Sequence, residues 1–259
     1  MTLDDLKVEG LPPNHLTGIE IAEAIHTHGF CNLTFALPPN FDTATIRQWN
    51  KTKVTVKAKE EIIFCGLVSF CKPDERPEGK FLFVRALTLS CQMESALKSK
   101  SYQSPKKKFS DVLNDVKKNY AGAQFDVWKD KVHTSLIYRN NLTDRDFFKS
   151  FAEQSGQILF VNSKTDKLWL SVGFKAFAEF ECKKDTTKLL RQVLPMDFFK
   201  RLEQNTYAGA RSLYFLETDL VTPELKIGVG SSVKYDNKKL AVIASRIYVD
   251  GVNLFNEIK

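Results

Sequence analysis

Residues His26-Thr27-His28 are the tightest pair of potential metal ligands in the chain. On a strand two such rings share a face, as a bound metal requires. His15 and His133 are isolated and no acidic partner lies close in sequence. Two rings fall short of the three ligands of a catalytic centre and the four of a structural one. They read better as polar residues in a loop beside Gly29. Asp144 and Asp146, in "TDRD", imitate a carboxylate pair for acid–base work. Two residues apart on a helix they diverge, and capping the helix start suits them better. Cys65 and Cys71 sit in apolar runs, without the paired histidine that a thiol nucleophile needs. No GxSxG, P-loop, GxGxxG or HExxH pattern occurs. "GVG" at Gly228–Gly230 is too short to cradle a phosphate and reads as a bend between strands. No catalytic residue, metal or cofactor is therefore expected.

Surface contacts are the remaining candidates. Lys106, Lys107 and Lys108 precede a helix, where positive charge opposes the helix dipole. That small cost points to a partner contact at this loop. Arg139, Asn140 and Asn141 form a second candidate contact loop. No aromatics interleave with the lysines, so direct nucleic-acid binding is not expected.

Composition sets the frame for these residues. The chain has 259 residues, 43% hydrophobic and 27% charged, as a globular protein does. Its 20 Phe, 7 Tyr and 3 Trp favour strands and large buried contacts. The formal charge of +7 and pI near 9.0 permit an acidic partner without requiring one. Five cysteines with no CxxC fit a reducing site of folding. "MTLDDLKVEGLPPN" is acidic and lacks a long apolar run, so no signal peptide is expected. No stretch approaches the roughly 18 apolar residues of a membrane span, so no membrane anchor is expected.

Periodicity supplies the elements. "FCNLTFAL" and "TKVTVKAKE" alternate as half-buried strands. "IIFCGLVSF" is an apolar strand whose Gly66 marks a bulge or bend, and "KFLFVRALTL" returns from a charged turn at residues 73–79. Connections this short argue for an antiparallel barrel or sandwich. Phe109, Val112, Leu113, Val116 and Tyr120 then fall at helical spacing, with Gly122 closing the helix. Val132, Thr134, Leu136 and Tyr138 suggest one face of a strand. Thr143 is placed to cap a second helix whose apolar stripe is Phe147, Phe148, Phe151 and Ala152, with Gly156 at its end. "QILFVN-SKTD-KLWLSV" reads as a hairpin. Pro195 interrupts an amphipathic stretch over 186–205, where a short helix or an irregular crossing is expected, and the chain ends in strands with a hairpin turn at Tyr235–Lys238.

Three of these segments, in order, resemble one family. "IIFCGLVSF" is similar to a strand of the VgrG and phage late control gene D proteins. "KKKFSDVLNDVKKNYAG" resembles their short helix after a basic loop. "SLIYRNNLTDRDFFKSFAEQSGQILFVNSKTDKLWLSVG" resembles their central signature of Tyr, acidic cap, "F-L-x-R-L-A-x-x-x-G" helix and hairpin. The resemblance covers roughly residues 15–175. It departs where the family's Glu after the Tyr is missing, where Asn140-Asn141 lengthen the loop, and where Ser150 replaces the helix Arg.

The resemblance implies a mainly β fold with a few short helices: two tube-like antiparallel β-barrel domains with a helical connector. Residues 1–100 would form the first barrel, 101–175 the helix and helix–hairpin segment, and 176–259 the strands completing the barrels. It implies a structural baseplate hub protein of a contractile phage tail or injection system, and no enzyme. A homotrimeric ring would adapt a hexameric tail tube to a trimeric spike, with tube, spike and other baseplate proteins as partners. Assembly would begin in the bacterial cytoplasm. The basic excess would face an acidic tube or spike surface, or line a lumen. The chain stops at "NLFNEIK", so a spike is expected on a separate chain or beyond this sequence. Two other classes stay open from the residues themselves: a tail-borne cell-wall hydrolase and a basic β module that binds nucleic acid.

Overall fold

The structure is a computed structural model and describes residues 1–11, 15–102, 107–127, 130, 132–133, 137–154, 157–173, 176–192 and 218–259. In chain order the strands are β1 (Leu6–Glu9), β2 (His15–Ala24), β3 (Phe30–Leu37), β4 (Lys53–Ala58), β5 (Glu61–Arg76), β6 (Gly79–Thr88), β7 (Lys98–Tyr102) and β8 (Lys107–Lys108). Helix α1 (Phe109–Lys117), β9 (Gln124–Val127), β10 (Val132–His133), β11 (Ile137–Leu142), α2 (Asp144–Gln154), β12 (Leu159–Asn162) and β13 (Trp169–Val172) follow. The chain closes with β14 (Glu179–Glu181), β15 (Lys188–Gln192), β16 (Thr218–Thr222), β17 (Ser232–Tyr235), β18 (Lys238–Ala241), β19 (Ala244–Asp250) and β20 (Asn253–Ile258).

One antiparallel sheet runs β1-β4-β5-β6-β3-β2-β19-β20-β16-β15. Laid flat, β1 and β20 would stand roughly 34 Å apart, at ~4.8 Å per strand. Instead the Leu254 amide of β20 donates to the Met1 carbonyl, just before β1, at 2.9 Å. The sheet therefore curls until its first eight strands close. Its interior is filled by the alternating residues read from the sequence: Cys31, Leu33, Phe35 and Leu37 on β3, Val54, Val56 and Ala58 on β4. Leu82, Val84 and Ala86 on β6 and Ile247 on β19 complete the same core.

Gly66 pairs normally with Val54 and Thr88, and the register shift falls beside it, between Val68 and Phe70. The glycine is needed for closeness: a Cβ there would lie 2.2 Å from the Leu87 carbonyl oxygen.

A second core gathers α1, α2, the β7–β11 ladder and the sheet β12-β13-β9. Phe109 and Phe151 stack at 4.2 Å between the two helices, and Phe147 stacks on Phe151 at 5.9 Å. The aromatic stripe predicted for α2 is buried throughout. A third, smaller core joins β14-β17-β18 to β16 and the end of β20. The β17–β18 turn places Asp236 at φ 49° and Asn237 at φ 61°, the two left-handed residues that a tight hairpin turn needs. A mainly β chain with separate β cores and short helices agrees with the expected fold class.

Four readings change. α1 ends at Lys117, and Gly122 follows a further turn, so it closes the loop rather than the helix. The strand around residue 138 buries Ile137 and Arg139 and exposes Tyr138, the reverse of the predicted face, because a buried acid recruits the arginine. The β12–β13 connection spans residues 163–168, longer than "SKTD". Residues 188–192 form a strand paired with β16. Pro195, its expected helix and Gly156 lie outside the described residues.

Gly66→Ala is expected to lower stability by about 2 kcal/mol or more through backbone overlap. Gly18→Ala, whose nearest contact would be Thr34 at 3.6 Å, is expected to change it by less than ~0.5 kcal/mol. Chemical denaturation midpoints of the two variants check this contrast.

Candidate functional site

The two expected contact loops lie on separate ladders: Arg139–Asn141 on β11, which pairs with β7, and Lys107–Lys108 on β8, which pairs with β10. Asp144 opens α2 but is only 1% exposed. Its carboxylate pairs with the Arg139 guanidinium and accepts from Lys98 Nζ at 2.8 Å and Tyr120 Oη at 2.6 Å. Arg139 donates to the Leu142 carbonyl and lies over the Phe147 ring at 5.4 Å. Burial raises the Asp144 pKa, but the bonds from Lys98, Tyr120 and Arg139 outweigh it and hold the carboxyl below its usual range. Burial and the same carboxylate push the Tyr120 phenol up. Thr143 caps α2 as predicted: its hydroxyl accepts from the Asp146 amide at 3.0 Å and donates to that carboxylate at 2.8 Å.

The loop between strand and helix is thereby fixed. A register break falls between Arg139 and Leu142, and Asn141 sits at φ 48° with its amide on Ser99 Oγ at 2.9 Å. Asn140 and Asn141 are exposed, as expected of contact residues, whereas the Arg139 side chain is spent inside the chain. Lys107 and Lys108 pair with His133 and Val132 through the backbone, and Lys108 is exposed. Lys106 lies outside the described residues. The dipole cost of these lysines is offset by acids: Asp111 accepts from the Lys108 amide at 3.0 Å, and Asp130 from the Ser110 amide at 3.0 Å.

A cleft of about 400 Å³ opens where the three cores meet, lined by Glu23, Glu61, Lys164, Asp166, Phe177 and Lys226 among others. Sequence reading missed its centre. Glu23 of β2 accepts from Ser163 Oγ, from Ser245 Oγ at 3.0 Å and from the Val229 amide at 3.4 Å, with Lys164 Nζ at 4.0 Å. Lys164 donates to the Ile63 carbonyl at 2.8 Å. Desolvation lowers its pKa against the opposing pull of Glu23. "GVG" wraps this pair: a Cβ on Gly228 would meet Lys164 Cε at 2.6 Å and Glu23 Oε2 at 3.0 Å. The only sequence signal was an acid on the buried-facing period of β2, visible once Ile19 and Ile21 are placed inside. This carboxylate is fully engaged by protein donors, which suits a lock between elements better than proton transfer.

His26 and His28 lie in the turn after β2, not on a strand. His28 Nδ1 is 2.6 Å from Ser90 Oγ and Nε2 is 2.6 Å from Glu94, and no group of three or more metal-ligating side chains forms among the described residues. The five cysteines are free, and burial raises every thiol pKa, that of Cys71 to about 11. No helix among the described residues is long and apolar enough to cross a membrane.

The barrel's outer face carries aromatic and arginine side chains together. Phe30, Phe81 and Phe83 are half-buried and Phe70 is 50% exposed. Arg85 lies over Phe30 at 4.4 Å and Arg76 over Phe81 at 5.1 Å. Such aromatic–arginine surfaces are enriched in protein interfaces.

No protein-family model and no curated protein matches the sequence. Solved structures do match. A tail protein from Neisseria meningitidis superposes with a TM-score of 0.66 at 8% identity, over 98% of this chain and 94% of that one. The type VI secretion component c3393 of E. coli, described as structurally similar to the T4 tail proteins gp27 and gp5, gives 0.65 at 10% identity over 98% and 76%. The 43 kDa tail protein of prophage MuSo2 from Shewanella oneidensis gives 0.64 at 12% identity over 98% and 94%. The fold is that of phage tail proteins. A VgrG complex from Francisella matches more loosely, with a TM-score of 0.55 at 11% identity over 95% of this chain and 53% of that one. The structural neighbours thus fall where the sequence resemblance placed them, and the likeness extends past residue 175 to nearly the whole chain.

Asp144→Asn leaves Arg139 buried without its counter-charge and is expected to cost about 3–5 kcal/mol. The native pair contributes stability above the unfolded carboxylate pKa of ~3.9, lost as pH falls through the lower folded value. Acid unfolding below about pH 4 should therefore be steeper in the native chain than in Asp144→Asn, followed by circular dichroism. At the cleft, Glu23→Gln and Lys164→Met are each expected to destabilise. The double variant should lose at least ~1 kcal/mol less than the sum, which a thermodynamic cycle measures.

Proposed function

We propose that this protein is a structural baseplate hub of a contractile phage tail or related injection system. The observation that carries the reading is a whole-chain fold shared with tail proteins, combined with polar clusters engaged in internal bonds. In this reading residues 1–100 open the first barrel, 101–175 form the connecting unit, and 176–259 return to complete the barrels. The chain works as a shape: a homotrimeric ring with pseudo-sixfold symmetry, between a hexameric tube and a trimeric spike. It is not an enzyme, acts without a cofactor, and assembles in the bacterial cytoplasm before joining the particle.

The outer barrel face with Phe70, Phe83, Arg76 and Arg85 supplies the apolar and cationic surface that subunit contacts need. Lys106, Lys107, Lys108, Asn140 and Asn141 serve as a second contact, toward the tube or spike. Arg139 supports that loop from beneath by holding Asp144. A hydrolase would need a carboxylate or metal centre with free valence in a cleft. In the cleft described, Glu23 is bonded on every side and Glu61 pairs with Lys226. A nucleic-acid module would need stacking aromatics beside the lysines.

Light scattering after size exclusion is expected to give a mass near three times 29.5 kDa. If the mass is that of one chain, capture by the particle's own tube or spike protein is expected instead. A stable dimer, or a monomer that captures neither, overturns the hub. Phe70→Asp with Arg85→Glu should weaken self-association at least tenfold (~1.4 kcal/mol). Reversing the charge of Lys106–Lys108 should leave the self-associated mass unchanged while weakening capture of the neighbour.

A further inference from the structure

The turn that carries His26 and His28 lies between the barrel and the helical unit. It leaves β2, packs under the 3-10 turn Leu89–Glu94 and touches the first turn of α2. Arg145 of α2 reaches across it. One guanidinium nitrogen donates to the His26 carbonyl at 2.7 Å, and the other donates to Glu94 at 3.1 Å. His28 completes the circuit between Ser90 and Glu94, and the Ser90 hydroxyl lies 2.9 Å from that of Thr88 at the end of β6. The His26 amide donates to the Leu159 carbonyl of β12 at 3.1 Å. The side chains of His28 and Arg145 are only 12% and 13% exposed. Three elements are thus held by one arginine, one carboxylate and one imidazole.

We propose that this junction is a pH-sensitive latch: protonation of His26 and His28 releases α2 from the barrel. The charges that decide this all face the turn. From the 3-10 turn comes Glu94; from α2 come Arg145, Asp146, Lys149 and Glu153. At neutral pH one guanidinium meets the Glu94 carboxylate. At acid pH a buried His28 imidazolium joins Arg145 on Glu94, whose side chain is 41% exposed, while a His26 imidazolium meets the positive Arg145 and Lys149 with Glu153 opposing them. Desolvation already lowers both histidine pKa values, and for His28 it does so despite the nearby Glu94. A histidine held neutral by the fold contributes stability above its unfolded pKa of ~6.5, and that contribution is lost as pH falls. The latch would therefore be closed near neutrality and loosened in mild acid, without any change in the barrel core.

Hydrogen exchange on the full chain, expressed as protection factors to remove the intrinsic pH dependence, tests this. Between about pH 7.5 and 5.5, protection at residues 26–28 and 143–148 is expected to fall up to about tenfold for each histidine that must stay neutral. Protection at Val54–Val56 and Leu82–Val84, in the barrel core, is expected to hold. His26→Gln with His28→Gln should abolish the difference. An equal fall in both regions, or a junction fall that survives the substitutions, overturns the latch. If the double variant does not fold, the native pH series decides. A midpoint between about 5.5 and 6.5 supports histidine control, and one below about 4.5, in the carboxylate range, overturns it.

Discussion

Everything in this fold leans on the carboxylate of Glu23. It stands at the seam where β2 from the beginning of the chain pairs with β19 from its end, with Ser245 directly opposite. Two further elements reach the same two oxygens: Ser163 and Lys164 from the β12–β13 connection, and Val229 from the turn before β17. A buried carboxylate without partners is costly, so each donor must be in place for the others to be worth having. One side chain thereby couples barrel closure to the packing of both other cores. Hydrophobic burial alone could not do this, since it is indifferent to small slips of one sheet against another.

The elements that could be read from sequence are those governed by local period. β3 and β4 alternate cleanly because one face meets the barrel core, and α2 shows its stripe because four residues fall on one side of a helix. The hairpin at Asp236-Asn237 was legible because few residues accept two successive left-handed conformations. What was not legible depended on buried charges finding partners, which no local period announces. Glu23 and Lys164 are separated by most of the chain, and neither stands in a motif. Tyr138 looked like an inward strand residue until Asp144, five positions after Arg139, drew the arginine inside and turned the strand over. Likewise the acid pair in "TDRD" was read as capping the helix start, yet only Asp146 is a capping partner; Asp144 anchors the loop beneath the surface.

The same pattern accounts for a fold kept at 8–12% identity to its structural neighbours. A small closed barrel asks for inward residues of roughly the right volume at every second position, and many sequences satisfy that. The polar junctions ask for more, but only that each buried charge find some counter-charge and its hydrogen bonds. Arg139–Asp144 and Glu23–Lys164 are two solutions to one requirement, placed where secondary structures from different parts of the chain must hold a single mutual orientation.

Ion pairs at these places add little net stability compared with well-packed apolar residues, because desolvation consumes most of the attraction. They contribute uniqueness instead: an apolar contact that slides by an ångström loses little, whereas a buried guanidinium that leaves its carboxylate loses nearly everything. In the hub role proposed above, where the chain would present fixed surfaces to its neighbours, orientation matters more than depth of the energy well. The aromatic–arginine face lies on the barrel sheet, and the exposed asparagines lie on β11 of the helical unit. Their relative placement is only as accurate as the buried charged pairs that fix the elements carrying them, and this gives the chain a reason to bury charge.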